Sequence, residues 1–156
     1  MGQSLKEVIG LLYKPPSGVR QAIAVSRQVA EQLPPLGTVA MISITAPERA
    51  LAEVHGFTQL LRLSFADVDF LDTEISARAK AKIKDGFTLQ KAKDIHAFVQ
   101  ALAPEIRTVV VHCEGGYSRS CGVVLALHNI YGFAVSASSL NQANRSVVTT
   151  MEVSKR

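Results

Sequence analysis

The segment 109–127 constrains the fold most, because it passes from an apolar run through a glycine-containing loop into a second apolar run. Val109-Val110-Val111 is typical of a buried strand, and the apolar stretch 123–127 continues a helix that begins near Ser118. Between them, residues 112–120 read His-Cys-Glu-Gly-Gly-Tyr-Ser-Arg-Ser; we call them the cysteine loop. This order predicts a strand–loop–helix unit with polar chemistry at the carboxyl end of the strand.

The cysteine loop holds a nucleophile and an anion-binding cation, Cys113 and Arg119. The thiolate is the reactive form of cysteine, and a helix start with a nearby cation favours it. Gly115 and Gly116 allow the backbone to curl, so that successive N–H groups converge on an anion. Arg119 can hold two phosphate oxygens in a bidentate fork, and Ser120 can donate a hydrogen bond to the sulfur. The sequence therefore predicts a phosphate-binding loop whose ionised sulfur must remain reachable from solvent.

The loop resembles the Cys-x5-Arg signature of the cysteine-dependent protein tyrosine phosphatases, and its Gly-x-Ser-Arg-Ser ending is typical of the dual-specificity branch. The segments 41–48 and 61–67 resemble the two strands that precede the loop in that family. The resemblance implies an α/β tyrosine phosphatase-like fold, with a mainly parallel central sheet flanked by helices. It also implies one catalytic domain over residues 1–156 that hydrolyses a phosphomonoester through a cysteinyl-phosphate intermediate. The implied substrate-binding residues are Glu114, Gly115, Gly116, Tyr117, Ser118 and Arg119.

The same resemblance calls for a carboxylic acid that follows a strand, because the leaving oxygen must be protonated. The segment 61–67 has the expected shape, so Asp67 is the first candidate for the general acid. Asp69 and Asp72 are the alternatives, and Asp85 is a more distant one. With Cys113 as nucleophile, the remaining catalytic candidates are Arg119 and Ser120.

Some features depart from the family pattern. The chain has no tryptophan, and Asp67 precedes Cys113 by 113 − 67 = 46 residues, a long interval that a predicted helix over 73–84 would fill. Glu114 places a negative charge beside the nucleophile. Two alternatives therefore stay open: a pseudophosphatase that binds phosphoproteins without cleaving them, and a phosphatase that acts on a non-protein phosphate. Cys121 is predicted to be a small core residue.

Composition limits the other classes of function. A chain of 156 residues with two cysteines suits one domain without a disulfide framework, which favours a reducing, cytoplasmic setting. There is no apolar run of membrane-spanning length and no signal-peptide pattern. The net charge of +4 comes without an aromatic-interleaved basic patch, so nucleic acid is not expected as a partner. The expected partner is a phosphorylated protein or peptide, with no cofactor, metal or membrane.

The remaining periodicity predicts alternating strands and helices. Ser26 and Thr88 are expected to cap helices, and Gly132 is expected to end one. Pro47 and Gly56 suggest the two ends of another helix. The predicted strands are 22–25, 38–45, 59–65 and 107–112; the predicted helices are 4–12, 26–33, 47–56, 73–84, 88–102, 118–131 and 136–145.

Overall fold

The computed structural model describes residues 4–68, 85–136 and 142–155. Its strands are Gln21–Ser26 (β1), Val39–Thr45 (β2), Leu60–Ser64 (β3) and Thr108–Cys113 (β4). They form one sheet in the order β1-β4-β2-β3, and every neighbouring pair is parallel. The helices of the described residues are Leu5–Tyr13 (α1), Arg27–Ala30 (α2), Leu89–Gln100 (α3), Ser118–Tyr131 (α4) and Arg145–Lys155 (α5). The predicted α/β class, with a parallel sheet flanked by helices, is confirmed.

The position of β4 determines which segments meet at the cysteine loop. β4 lies between β1 and β2, with Cys113 opposite Ser26 and His112 opposite Ser43. Because all four strands are parallel, their carboxyl ends lie along one edge of the sheet, which we call the carboxyl edge, and their amino ends lie along the opposite, amino edge. Ligands of open α/β sheets bind at the carboxyl edge, and the cysteine loop lies there.

Both faces of the sheet are covered. Val109 and Val111 face a core that includes residues of α3, α4 and α5, whereas Val110 faces a second core that includes Val8 of α1 and Ala30 of α2. Every residue of β2 is buried, as expected for an internal parallel strand with both faces covered. Alternation along the strands therefore divides the apolar residues between two cores and holds the carboxyl edge in place.

Local capping signals are confirmed at several helix ends. Ser4 and Glu7 form a reciprocal capping box at the start of α1. The hydroxyls of Ser26 and Thr88 accept backbone N–H groups at the starts of α2 and α3. Gly132 ends α4 with a left-handed φ of 76°. α2 is shorter than the predicted 26–33 helix, because it ends at Ala30.

The predicted helix at 47–56 is wrong, because a turn and a segment without regular secondary structure occupy these positions. Burial alternates along the segment, with Ala52 and Val54 buried and the residues between and beside them exposed. The backbone carbonyls are satisfied by side chains: Arg27 donates to Ala50 and Leu51, and the guanidinium of Arg62 donates to residues 52 and 54. Arginine donors thus replace the helical hydrogen bonds that the proline and glycine signals suggested.

Part of the predicted helix at 136–145, residues 137–141, lies outside the described residues; residues 142–144 are not helical, and a separate helix, α5, begins at Arg145. Asn144 accepts the N–H of Val147 with its side-chain oxygen and so caps the later helix. Val147 and Met151, one turn apart, supply the buried apolar face of α5. The predicted helix at 73–84 lies outside the described residues.

Candidate active site

The cysteine loop turns sharply between strand and helix. Cys113 is the last residue of β4, and α4 begins at Ser118. Gly116 has a φ of 81°, and a Cβ atom there would lie 2.6 Å from the backbone N of Ser26 and the backbone C of Val25. Only glycine meets both requirements, since other residues are strained at this φ and a side chain would collide with β1. The predicted role of Gly116 in bending the loop agrees with this geometry.

The backbone of the loop presents a set of unpaired donors. None of the N–H groups from Gly115 to Ser120 meets an acceptor within the described part of the chain. Tyr117 occupies the N-cap position of α4, and its side chain makes no cap hydrogen bond. The α4 amino terminus adds the positive end of a helix dipole. Converging N–H groups at a helix start form a binding site for an anion such as phosphate.

Cys113 lies at the floor of the loop. Its Sγ atom lies 3.2 Å from Oγ of Ser120 and, as a thiol, donates to it; with the sulfur ionised, the serine hydroxyl would donate instead. The predicted role of Ser120 depends on that ionised form. Only 2% of Cys113 is exposed, however, so the sulfur has a much narrower path to solvent than the sequence-based interpretation requires. A substrate would have to bring its phosphorus atom deep into the loop.

Arg119 is also buried, with 7% of the residue exposed. Its Nη1 donates to the backbone carbonyl of Phe65, just after β3, at 3.0 Å. Its Nε is buried and has no hydrogen-bond partner among the residues that the structure describes. A buried unpaired donor costs about 1–3 kcal/mol, so a fold that retains one at an anion-binding loop has a donor available for a ligand.

His112 braces the loop from the strand. Its Nε2 lies 2.6 Å from Oγ of Ser43, and its Nδ1 lies 3.3 Å from the backbone oxygen of Cys113. Because a carbonyl oxygen only accepts, Nδ1 carries the proton and Nε2 accepts from the Ser43 hydroxyl. Burial lowers the pKa of His112 below its usual value, partly opposed by the backbone hydrogen bond to Cys113. A neutral imidazole is consistent with this pair of contacts.

The side chain of Glu114 is held by two arginines. Its carboxylate pairs with Arg27 at 3.2 Å and with Arg49 at 3.1 Å, and its backbone oxygen accepts the N–H of Arg27. The two guanidinium groups compensate the negative charge of Glu114, the residue whose presence in the loop departs from the family pattern. Arg27 and Arg49 were not among the sequence-based candidates, because nothing local to positions 27 or 49 indicates a partner at 114.

Asp67 lies beside the cysteine loop, as its candidacy for the general acid requires. Its Oδ1 accepts the Ser118 hydroxyl at 2.7 Å and the side-chain amide of Asn144 at 2.9 Å. The other two acid candidates, Asp69 and Asp72, lie outside the described residues. Asp85 is exposed, and its backbone oxygen accepts the N–H of Ala66, which places its main chain next to the same segment.

Asn144 is a site residue that the sequence analysis missed. A polar residue directly before an apolar helical pattern signals an N-cap, but the helix predicted at 136–145 ran through this position. Tyr117, which was a sequence-based candidate, lies in the loop. Its ring packs over Gly115, so that a Cβ atom on Gly115 would lie 3.0 Å from it.

Cys121 is a buried residue of α4, as predicted. Burial raises its pKa to about 12, and the neighbouring Cys113 adds to the shift. A thiol held neutral in this way is a poor nucleophile. The two cysteines therefore differ in chemical setting although both are buried.

Features elsewhere in the described residues add no second candidate centre. Two cavities, of about 380 and 370 Å³, lie near the amino edge and are lined by residues including Gln21 and Arg20, respectively. Within residues 4–68, 85–136 and 142–155, no group of three metal-ligating side chains is suitably placed for a metal ion. The same residues contain no helix with the length and apolar character needed to cross a membrane.

Comparisons with known proteins give little further support. No protein-family model matches the chain, and no curated protein matches it. Among solved structures, PTPMT1 is 20% identical over 88% of this chain and 95% of its own, with a TM-score of 0.40. A similarity at that TM-score carries no argument about function. The case for function therefore depends on the site itself.

Proposed function

We propose that this chain is a cysteine-dependent phosphomonoester hydrolase of the protein tyrosine or dual-specificity type. The observation that carries the proposal is a single loop containing Cys113, Ser120 and Arg119 together with unpaired backbone N–H groups. A nucleophile at the floor of an anion-binding loop suits attack on a bound phosphate. Backbone dipoles and the guanidinium supply the positive field, so the proposed reaction needs no cofactor.

In the first step, Cys113 Sγ forms a bond to phosphorus while the phosphorus–oxygen ester bond breaks. The electron pair of the broken bond goes to the leaving oxygen, which takes a proton from the Asp67 carboxyl group. The loop amides and Arg119 hold the other three phosphate oxygens as charge redistributes over them. The products are a cysteinyl phosphate and the free alcohol or phenol.

In the second step, a water molecule attacks phosphorus and gives its proton to the Asp67 carboxylate. The sulfur leaves with the electron pair of the phosphorus–sulfur bond, and the hydroxyl of Ser120 stabilises it as a thiolate. Inorganic phosphate is released, and Cys113 and Asp67 return to their starting states.

The proposed substrate is a phosphorylated protein or peptide, with phosphotyrosine preferred. The slight exposure of Cys113 supports this preference, because an aryl phosphate carries its phosphorus further from the peptide backbone than a seryl phosphate does. Peptides phosphorylated on tyrosine should therefore be hydrolysed faster than the same peptides phosphorylated on serine. Faster turnover of a soluble sugar or lipid phosphate would contradict the protein assignment.

The test of the reaction is turnover of p-nitrophenyl phosphate by Cys113→Ser, with Cys121→Ser as the matched control. Loss of the nucleophile should reduce kcat by about 10⁴-fold or more, whereas the control should retain activity within about threefold. Acid quenching of wild-type protein with ³²P-labelled substrate should trap a phosphoenzyme that Cys113→Ser does not form. Wild-type turnover by Cys113→Ser would contradict the proposal.

A phosphoprotein-binding pseudophosphatase is the second candidate, because the Glu114 carboxylate places a negative charge beside the nucleophile. The loop amides and Arg119 would bind a phosphate in either case. Titration calorimetry with a phosphopeptide, followed by a phosphate-release assay on the same sample, separates the two functions. Binding without release would favour the pseudophosphatase.

A further inference from the structure

We propose that Asn144 is a positioning residue that orients the Asp67 carboxyl group for proton transfer. The inference rests on the proposed function and adds to it a residue that has no counterpart among the sequence-based candidates. It is argued from four hydrogen bonds made by a residue that is 4% exposed.

Asn144 holds the segment that follows β3. The side-chain amide of Asn144 donates to Oδ1 of Asp67 at 2.9 Å and to the backbone oxygen of Val68 at 3.1 Å. One NH₂ group therefore contacts both the carboxylate and the backbone of the next residue. These contacts restrict the rotation of the carboxyl group as well as the path of the chain.

The hydrogen bonds of Asp67 indicate which of its two oxygens can carry the proton. Both side-chain donors, from Ser118 at 2.7 Å and from Asn144, fall on Oδ1. An oxygen that accepts two hydrogen bonds is a poor site for an acidic proton, since its lone pairs are occupied. The two hydrogen bonds to Oδ1 leave Oδ2 as the oxygen that would carry the proton to the leaving group.

Asn144 also connects the Asp67 segment to the cysteine loop. The backbone N–H of Asn144 donates to the backbone oxygen of Ser118 at 2.9 Å, and its side-chain oxygen caps α5 by accepting the N–H of Val147. Asn144 thus joins three segments that are distant in sequence: the end of β3, the start of α4 and the start of α5. A shift of the acid relative to the loop would require these contacts to break.

The test measures how fast the Asn144→Ser variant hydrolyses two substrates with different leaving groups. Serine retains an oxygen that can cap α5 but loses the side-chain amide. Phenyl phosphate has a poor leaving group that needs protonation, whereas 2,4-dinitrophenyl phosphate has a leaving group that departs without it. Because kcat/KM reports formation of the cysteinyl phosphate, Asn144→Ser should lower kcat/KM for phenyl phosphate about ten- to a hundredfold, while the value for 2,4-dinitrophenyl phosphate changes less than about threefold.

The control is Asn129→Ser, which removes an exposed side-chain amide that contacts Glu152 at 3.4 Å, and which should leave both substrates unaffected. Asn144→Asp, which also caps α5 without donating, is measured alongside and decides the matter should the serine variant not fold. An equal loss on both substrates would show a purely structural role and overturn the inference, as would no loss on either. If the wild-type protein hydrolyses neither substrate, the proposed function itself fails, a result distinct from a failure of Asn144 alone.

Discussion

The two edges of the sheet contain buried or half-buried arginines in opposite states of hydrogen bonding. At the amino edge, Arg20 donates through Nε to the oxygen of Ile106 at 2.9 Å and through Nη2 to the oxygen of Ala103 at 3.1 Å. At the carboxyl edge, Arg119 also donates to a backbone oxygen, but its buried Nε has no partner in the described part of the chain. One arginine satisfies the backbone of its own fold, whereas the other retains a donor for something else. The arginine of the amino edge is thus used for stability, whereas the proposed function lies at the carboxyl edge.

Among the changes that test this comparison, the largest effect is expected from Arg119→Met, which preserves the apolar stem and removes the donors. The kcat/KM for p-nitrophenyl phosphate should fall about 10³-fold, the usual consequence of losing an oxyanion donor. The free energy of unfolding should not fall, because an unpaired buried donor is removed together with one hydrogen bond. Urea denaturation and steady-state kinetics measure the two quantities. A large loss of stability without loss of activity would reverse the assignment of the carboxyl edge.

The same substitution at the amino edge should have the opposite outcome. Arg20→Met leaves the carbonyl group of Ile106 without the donor it has in wild type and removes one of the two hydrogen bonds to the carbonyl group of Ala103, which still accepts the N–H of Ile106. The free energy of unfolding should therefore fall by about 2 kcal/mol. The kcat/KM should stay within about threefold of wild type, since Arg20 lies at the opposite edge from the cysteine loop. Equal losses of activity in the two arginine variants would remove the distinction between the edges.

A smaller effect is expected from the arginine that pairs with Glu114. Arg27→Met would leave the Glu114 carboxylate with Arg49 alone, whose side chain is 60% exposed. The uncompensated charge beside the loop should lower kcat/KM about tenfold, mainly through a higher KM for the anionic substrate. The double variant Arg27→Met/Glu114→Gln should recover most of the loss, because the offending charge is gone. Failure of the second change to restore activity would mean that Arg27 acts through the segment it holds at Ala50 and Leu51.

The smallest expected effect is a pH dependence of stability that arises from His112. Its pKa is lower in the folded protein than in the unfolded chain, mainly through burial. The unfolded state therefore binds more protons as the pH falls below about 6.5, and the free energy of unfolding declines until the pH passes below the folded pKa. Denaturation at pH 7.5 and 5.5 should show this decline in wild type and a weaker one in His112→Gln. An unchanged decline in the variant would assign the pH dependence to other groups.

Much of the molecule follows from local signals in the sequence. The strand, the cysteine loop and α4 are predictable because the valine run, the glycines and Gly132 each act on their own neighbourhood. The carboxylate of Asp67 is found beside the loop because parallel strands bring their carboxyl ends together. These are the parts of the site for which short-range chemistry is sufficient.

The remainder depends on contacts between distant positions. Pro47 and Gly56 suggest the two ends of a helix, yet the carbonyls between them accept hydrogen bonds from Arg27 and Arg62, and the segment is not helical. Asn144 joins three segments through hydrogen bonds that no periodicity indicates. The pairing of Glu114 with Arg27 spans 87 positions of sequence. Side-chain donors that reach across the fold override local preference in each case.

The close approach of Gly116 to the backbone of Val25 and Ser26 has a consequence for engineering. The loop packs closely against a strand that lies about ninety residues earlier in the sequence. Residues 108–131 transferred into another scaffold would therefore include the thiol but not the backbone against which the loop packs. Such a graft would need a backbone segment in the host at the same distance from Gly116 as Val25 and Ser26. A circular permutant opened within residues 14–18 would keep β1 next to the loop and should retain the native loop shape.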